Sequence, residues 1–174
     1  MTYTRYYETP IGGMILESDG EALTALRFEN RRQTEDISCG NREEQSLPVL
    51  VQTAEWLELY FGGQIPDFLP PLKLQATEFR RAVWEILLTI PYGETTTYGE
   101  IARKIAIREG KERMSAQAVG GAVGSNPIAL IIPCHRVIGA DGSLTGYAAG
   151  VDKKEKLLAL EKDGRRKQEE AAQK

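Results

Sequence analysis

The chain has 174 residues, a formal net charge of −3, 41% hydrophobic and 27% charged residues, a profile that suits one globular domain or two small ones with real cores. Its longest clean apolar run, 128–132, is far too short to span a bilayer, and the opening "MTYTRYYETP" has neither the basic nor the apolar region of a secretion signal. A cytoplasmic protein without a membrane partner is therefore expected, and two cysteines with a single histidine fall short of any common zinc ligand set, so neither a metal nor a cofactor is expected.

The whole-chain charge hides an asymmetry. Residues 1–72 hold 5 Lys/Arg against 12 Asp/Glu, a net of −7, whereas 73–161 hold 12 against 10 and 162–174 hold 5 against 3. An anionic ligand would dock on the second half.

Along the chain, "YTRYYETP", "GGMILESDG" and "ALTALRFE" read as three short strands of an antiparallel meander, with turns at Gly12-Gly13 and Asp19-Gly20. The stretch "RRQTEDISCGNREEQ" reads as a polar surface loop carrying Cys39 as a bystander. Pro48 suits the first turn of a helix running to Phe61 and stopped by Gly62-Gly63. The aperiodic "IPDFLPPLKL" marks a boundary between a domain at 1–72 and a second at 73–161, with 162–174 as a basic tail that reads as a frayed helix end or a disordered extension.

The second domain is more helical. Thr77 caps a helix whose inner stripe is Phe79, Val83, Trp84, Leu87 and Ile90, and Thr97 with Glu100 matches the capping box before the short helix "YGEIARKIA". After a polar turn, Ser115 caps "AQAVGGAVG". Two short helices joined by a turn in the basic half suggest a helix-turn-helix. Gly120, Gly121 and Gly124 each cost about 1 kcal/mol relative to Ala inside a helix, so close approach of another backbone is needed to offset them. Tight packing within the protein and contact with nucleic acid both fit. The fold class is α+β: a small antiparallel-sheet domain followed by a mostly helical domain with a winged-helix-like helix-turn-helix.

"IIPCHRVIG" places His135, the only histidine, directly after Cys134. A cysteine at a strand end is commonly a small buried hydrophobe, but Pro133 fixes the chain before the thiol and Glu161 shares a helix face with Leu157 and Leu158. An inward carboxylate needs a partner. A thiol of pKa about 8.5 needs a base to become a nucleophile, and the base needs a carboxylate to fix its tautomer. Because adjacent strand residues point to opposite faces, a relay through one water is expected between Cys134 and His135 rather than a direct bond.

"NPIALIIPCHRVIGADGSLTGYAAGVDKKEKLLALE", with "FRRAVWEILLTIPYGETTTYGEIA" and "AQAVGGAVG" before it, closely resembles the active-site block of the O6-alkylguanine-DNA alkyltransferases over residues 77–161. The resemblance implies DNA repair by direct reversal: the helix-turn-helix enters the minor groove of double-stranded DNA and flips an O6-alkylated guanine out of the stack; single-site stoichiometric repair requires no partner subunit, so a monomer is expected. The alkyl group is then transferred irreversibly to Cys134. By position, His135 is the base, Glu161 its orienting acid and Tyr98 the donor to the purine. Asn126 ties the recognition helix to the nucleophile's strand, the carbonyls of Cys134 and Val137 accept from the guanine amino group, Tyr147 and Ala148 line the alkyl pocket, and Arg136 is structural. The small residues Ala118, Gly120, Gly121 and Ala122 let the helix approach the groove.

Departures accompany the match. Gln117 stands where many relatives carry an arginine that fills the gap left by the flipped base; Arg113 offers a replacement charge. The turn "RKIAIREGKERMSA" is several residues longer than in some relatives, and Ala148 has no hydroxyl where some have serine, leaving its backbone N–H as the donor to O6. The alkyltransferase-like proteins, which bind lesions without chemistry, replace the cysteine that this chain keeps. A helix-turn-helix regulator would want a dimer surface, and a cysteine hydrolase would want an oxyanion hole.

Overall fold

The computed structural model describes residues 1–30 and 46–173, which form two compact units: Met1–Leu74 with Pro127–Ala129, and Gln75–Asn126 with Leu130–Lys174. Cys39 and the whole of its expected loop lie outside the described residues.

In the first unit, β1 (Tyr3–Thr9), β2 (Gly12–Ser18) and β3 (Leu23–Phe28) form an antiparallel sheet in chain order. The first turn falls at Pro10-Ile11 rather than at the glycine pair, which belongs to β2 opposite Thr9 and Glu8. Gly13 is needed for clearance instead: a Cβ there would lie 2.0 Å from Tyr6 Oη. Thr9 closes the turn, its Oγ1 donating to the Gly12 carbonyl and accepting from the Ile11 N–H. Asp19 makes the second turn as expected, its Oδ1 accepting from the N–H groups of Glu21 and Ala22.

Helix α1 (Pro48–Phe61) starts with Pro48 in its first turn and buries Leu50, Trp56, Leu57 and Tyr60 as it packs on the sheet. Beyond it, the Pro-rich stretch runs beside β3, where the Leu23 N–H donates to Pro71 and the Lys73 N–H to Leu23. The segment Pro127–Ala129 adds a second bridge: the Leu26 N–H donates to Pro127 at 2.9 Å and the Ala129 N–H to Leu26 at 2.8 Å. The sequence carries no sign of that excursion. Leu130, which follows, holds φ at 69°, a left-handed conformation rare for leucine.

In the second unit, α2 (Glu78–Leu88), α3 (Tyr98–Glu109) and α4 (Ala116–Gly124) have as N-caps Thr77, Thr97 and Ser115, whose hydroxyls accept the N–H of the residue three positions on. The reciprocal half of the capping box is absent at Thr97, since the Glu100 carboxylate accepts from Arg103 instead. Helix α3 buries Ile101, Ala102, Ile105 and Ala106, runs past its expected end at Ala106 to Glu109, and is ended by Gly110 at φ 68°. The turn of the helix pair is thus only 110–115. The Trp84 indole N–H donates to the Ala122 carbonyl at 2.8 Å, fixing α4 on α2.

A short parallel pair follows, β4 (Thr96–Thr97) beside β5 (Val137–Ile138). The last helix, α5 (Val151–Ala172), does not stop near 161 but continues to Ala172. Its extension is laced by pairs of opposite charge one turn apart, including Arg165 with Glu169 and Arg166 with Glu170, and Gly164 is buried on the same face as Leu157 and Glu161.

Candidate active site

The stretch around Cys134 is not a strand. Parallel pairing with β4 is open only to Val137 and Ile138, and Pro133, at φ −81° and ψ 67°, turns the chain into a single 3-10 turn, Cys134–Arg136. The Cys134 N–H donates back to Ile132 at 2.8 Å, and the Val137 N–H to the Cys134 carbonyl. Strand alternation therefore does not govern Cys134 and His135. The turn leaves the cysteine half-buried and removes the histidine from solvent.

Glu161 is the hub beneath them. Its side chain is 1% exposed, and Leu157, one helical turn before it, shares the same buried face. His135 Nε2 bonds Oε2. Arg136 Nε donates to Oε1 at 2.7 Å and Nη2 to Oε2 at 3.2 Å, and the Gly93 N–H donates to Oε1 at 3.2 Å. Arg136, expected to be structural, also donates from Nη1 to the Ile90 carbonyl at 2.7 Å and lies over the Tyr92 ring. Burial by itself would raise the Glu161 carboxyl, but bonds and charge from His135 and Arg136 outweigh it and bring the group down to about 2. Burial pushes His135 the other way from protonation, below 6.5, against the pull of Glu161. The resting trio is a neutral imidazole on an ionised carboxylate whose charge Arg136 balances.

The thiol has its own surroundings. Burial raises Cys134, while the Asn126 amide, the local backbone and the Lys154 cation act to lower it. Asn126 lies just past the end of α4, where Ser125 is the cap residue, and its Nδ2 also donates to the Ile132 carbonyl at 2.8 Å. Lys154 is a participant that the sequence reading missed. Its side chain is wholly buried, and Nζ donates to Val137 at 2.5 Å and to Thr145 at 3.1 Å. In "DKKEK" it looks like one more solvated charge, yet it stands three residues before Leu157 and seven before Glu161, on the inner face.

The Val137 carbonyl, expected to accept from guanine, thus already holds one donor and keeps one lone pair. The Tyr98 hydroxyl donates to Thr145 at 3.1 Å. The ring of Tyr147 reaches the same neighbourhood, since its titration is raised by burial and by Cys134 and Glu161, and its hydroxyl is buried. Ala148 is exposed in the loop before α5. Gln117, Ala118 and Gly121 share the exposed face of α4 and take no part in the network around Glu161. Nothing in the described structure lies within 4 Å of a Cβ built on Gly121 or Gly124, so internal packing does not account for those glycines.

Comparison with known proteins agrees across both units. Residues 2–74 match the family model described as 6-O-methylguanine DNA methyltransferase, ribonuclease-like domain, and residues 78–163 match the one described as 6-O-methylguanine DNA methyltransferase, DNA binding domain. The methylated-DNA–protein-cysteine methyltransferase of Haemophilus influenzae is 42% identical over 161 residues, 92% of this chain and 86% of its own. That of Methanosarcina acetivorans is 44% identical, covering 91% and 97%. The crystal structure of Mycobacterium tuberculosis OGT in complex with DNA is 42% identical and superposes with a TM-score of 0.75, covering 92% of this chain and 93% of that one. One family accounts for each unit in turn, and relatives of more than 40% identity span nearly the whole chain, which therefore belongs to the 6-O-methylguanine DNA methyltransferase family.

Proposed function

We propose that this protein repairs DNA by direct reversal, moving the alkyl group of O6-alkylguanine onto Cys134, once per molecule. The observation that carries the assignment of roles is the half-buried thiol seated among the Asn126 amide, the buried Lys154 cation and a His135–Glu161 pair. No helix among the described residues is long and apolar enough to cross a membrane, and we place the protein in the cytoplasm, acting on double-stranded DNA as a monomer.

The glycine-bearing face of α4 enters the groove, and the lesion is extruded because its O6 substituent is otherwise enclosed by the duplex. Gln117 occupies the space the base leaves. His135 Nε2 is committed to Glu161, so the Cys134 proton travels to Nδ1 through a bridging water. Glu161 then stabilises the imidazolium, as the carboxylate of a catalytic triad does. The thiolate attacks the alkyl carbon; an S–C bond forms as the C–O6 bond breaks, and the electron pair leaves with the purine. Tyr98, released from Thr145, donates to the purine and makes it a better leaving group. The product thioether has no leaving group of comparable quality, so the reaction stops there. Ala148 and Tyr147 bound the alkyl pocket.

Intact-mass and peptide mass spectrometry after incubation with an O6-methylguanine oligonucleotide tests this. One methyl at Cys134, saturating at one per protein and abolished in Cys134→Ala with lesion binding kept, is expected. Tight binding without a mass change would make the protein a lesion binder instead.

A further inference from the structure

The Glu161 carboxylate is held by more than its helix and its arginine. The turn 90–94, between α2 and β4, wraps it: the Ile90 carbonyl accepts from Arg136, the Tyr92 ring lies under that guanidinium with 5.8 Å to the centroid, and the Gly93 N–H points at Oε1. Gly93 has φ +81°, and the Glu94 N–H closes the turn on Pro91. On its far side lies Arg165. A Cβ on Gly93 would stand 2.7 Å from Cδ and 3.0 Å from Cβ of that side chain, while the guanidinium is engaged with Glu169. Arg165 is one helical turn beyond Glu161 on α5, so the helix that supplies the carboxylate also supplies the stem covering the turn that grips it.

We infer that Gly93 is a positioning residue for alkyl transfer, its N–H fixing the Glu161 carboxylate that orients His135, and that the α5 extension, through Arg165, holds Gly93 in place. The inference rests on the function proposed above. With the Gly93 N–H in place, each Glu161 oxygen has two donors, and the carboxylate has a single orientation to offer the imidazole. Any side chain at Gly93 strains the left-handed backbone and must displace the Arg165 stem, drawing the N–H away from Oε1. The charged groups acting on His135 are Glu161, Arg136 and Lys154; Glu161 and Arg136 both touch the 90–94 turn, the latter through the Ile90 carbonyl and the Tyr92 ring, whereas Lys154 bonds elsewhere, to Val137 and Thr145.

The experiment is a double-mutant cycle on the full chain, read as single-turnover methyl transfer from an O6-methylguanine duplex between pH 5 and 9. In the wild-type background, Gly93→Ala should slow transfer about tenfold and move the acid limb of the profile to lower pH, since a histidine less firmly held by its carboxylate is a weaker base. Lesion affinity should not change. In a His135→Asn background, Gly93→Ala should add no further loss. Arg165→Ala, in a helical position that favours alanine, should give a smaller slowing with the same displacement, and it serves if Gly93→Ala does not fold. An equal loss in both backgrounds, or an unmoved acid limb in both Gly93→Ala and Arg165→Ala, would overturn the inference. A wild-type protein that transfers nothing would instead overturn the proposed function, a result the first arm reports by itself.

Discussion

Lys154 Nζ donates to the carbonyl of Val137 at 2.5 Å from a side chain with no exposure to solvent, holding a cation against the strand that follows Cys134. Its own titration is pushed down by burial, with Cys134 pulling it back up. Lys154→Met keeps the stem and removes the charge. Because a neighbouring charge moves a titration by about one to three pH units, transfer at pH 7.5 should fall about tenfold or more and recover as the pH is raised. Rate–pH profiles of the two proteins decide it; coincident profiles would remove Lys154 from the mechanism.

Gln117 is exposed on α4 and, in the role proposed for it, is uncharged and shorter than the arginine that would hold an extruded base more firmly. Gln117→Arg should speed repair of duplex DNA by several-fold and leave single strands, which need no base extrusion, nearly unchanged. Parallel rate measurements on the two substrates check this, and equal acceleration of both would assign the gain to general electrostatic attraction.

Gly121 separates stability from binding. It lies in mid-helix with nothing in the described structure within 4 Å of an added Cβ. Gly121→Ala should therefore stabilise the fold by about 1 kcal/mol, and Gly121→Leu should weaken duplex binding by at least tenfold at little cost in melting temperature. Calorimetry and a binding titration, run on the same preparations, read the two effects. A Gly121→Leu protein with native affinity would take α4 out of the groove.

Acid should unfold the protein in two stages. The folded titrations of His135 and Glu161 both lie below their ordinary values of 6.5 and 4.5, the latter at about 2, so in acid the unfolded chain binds more protons and stability rises with pH. The full contribution is present above pH 6.5. It erodes first as the pH falls below 6.5, where the unfolded histidine protonates and the buried one resists, and again below 4.5 as the Glu161 interactions become costly to keep. Melting temperatures from pH 8 to pH 3 should show both declines, with the first missing from His135→Asn.

Local signals in the sequence carried the helix starts well. Thr77, Thr97 and Ser115 each cap as their residue types suggest, because a capping hydroxyl needs only the N–H three residues on. Glu161 was legible from its helix phase, and Lys154 shares that phase with Leu157 but was hidden by the charged residues around it. What could not be read depends on contacts distant in sequence. The 3-10 turn at Cys134 follows from how little strand β4 offers to pair with, and the Ile90–Glu94 grip on Glu161 brings together residues about 70 positions apart. Gly13 misled for a related reason: a glycine required for clearance from Tyr6 looks, in sequence, like a glycine required for a turn.

Leu26 pairs with the segment around Ile128, about a hundred positions further along the chain. Closing so long a loop carries an entropic cost and slows the contacts that depend on it, and Leu130, whose left-handed backbone leads towards Cys134, follows this segment directly in the chain. For an enzyme that turns over, slow maturation is a one-time delay. Under the proposed single-use chemistry the protein is a reagent, and its capacity depends on the supply of newly folded copies.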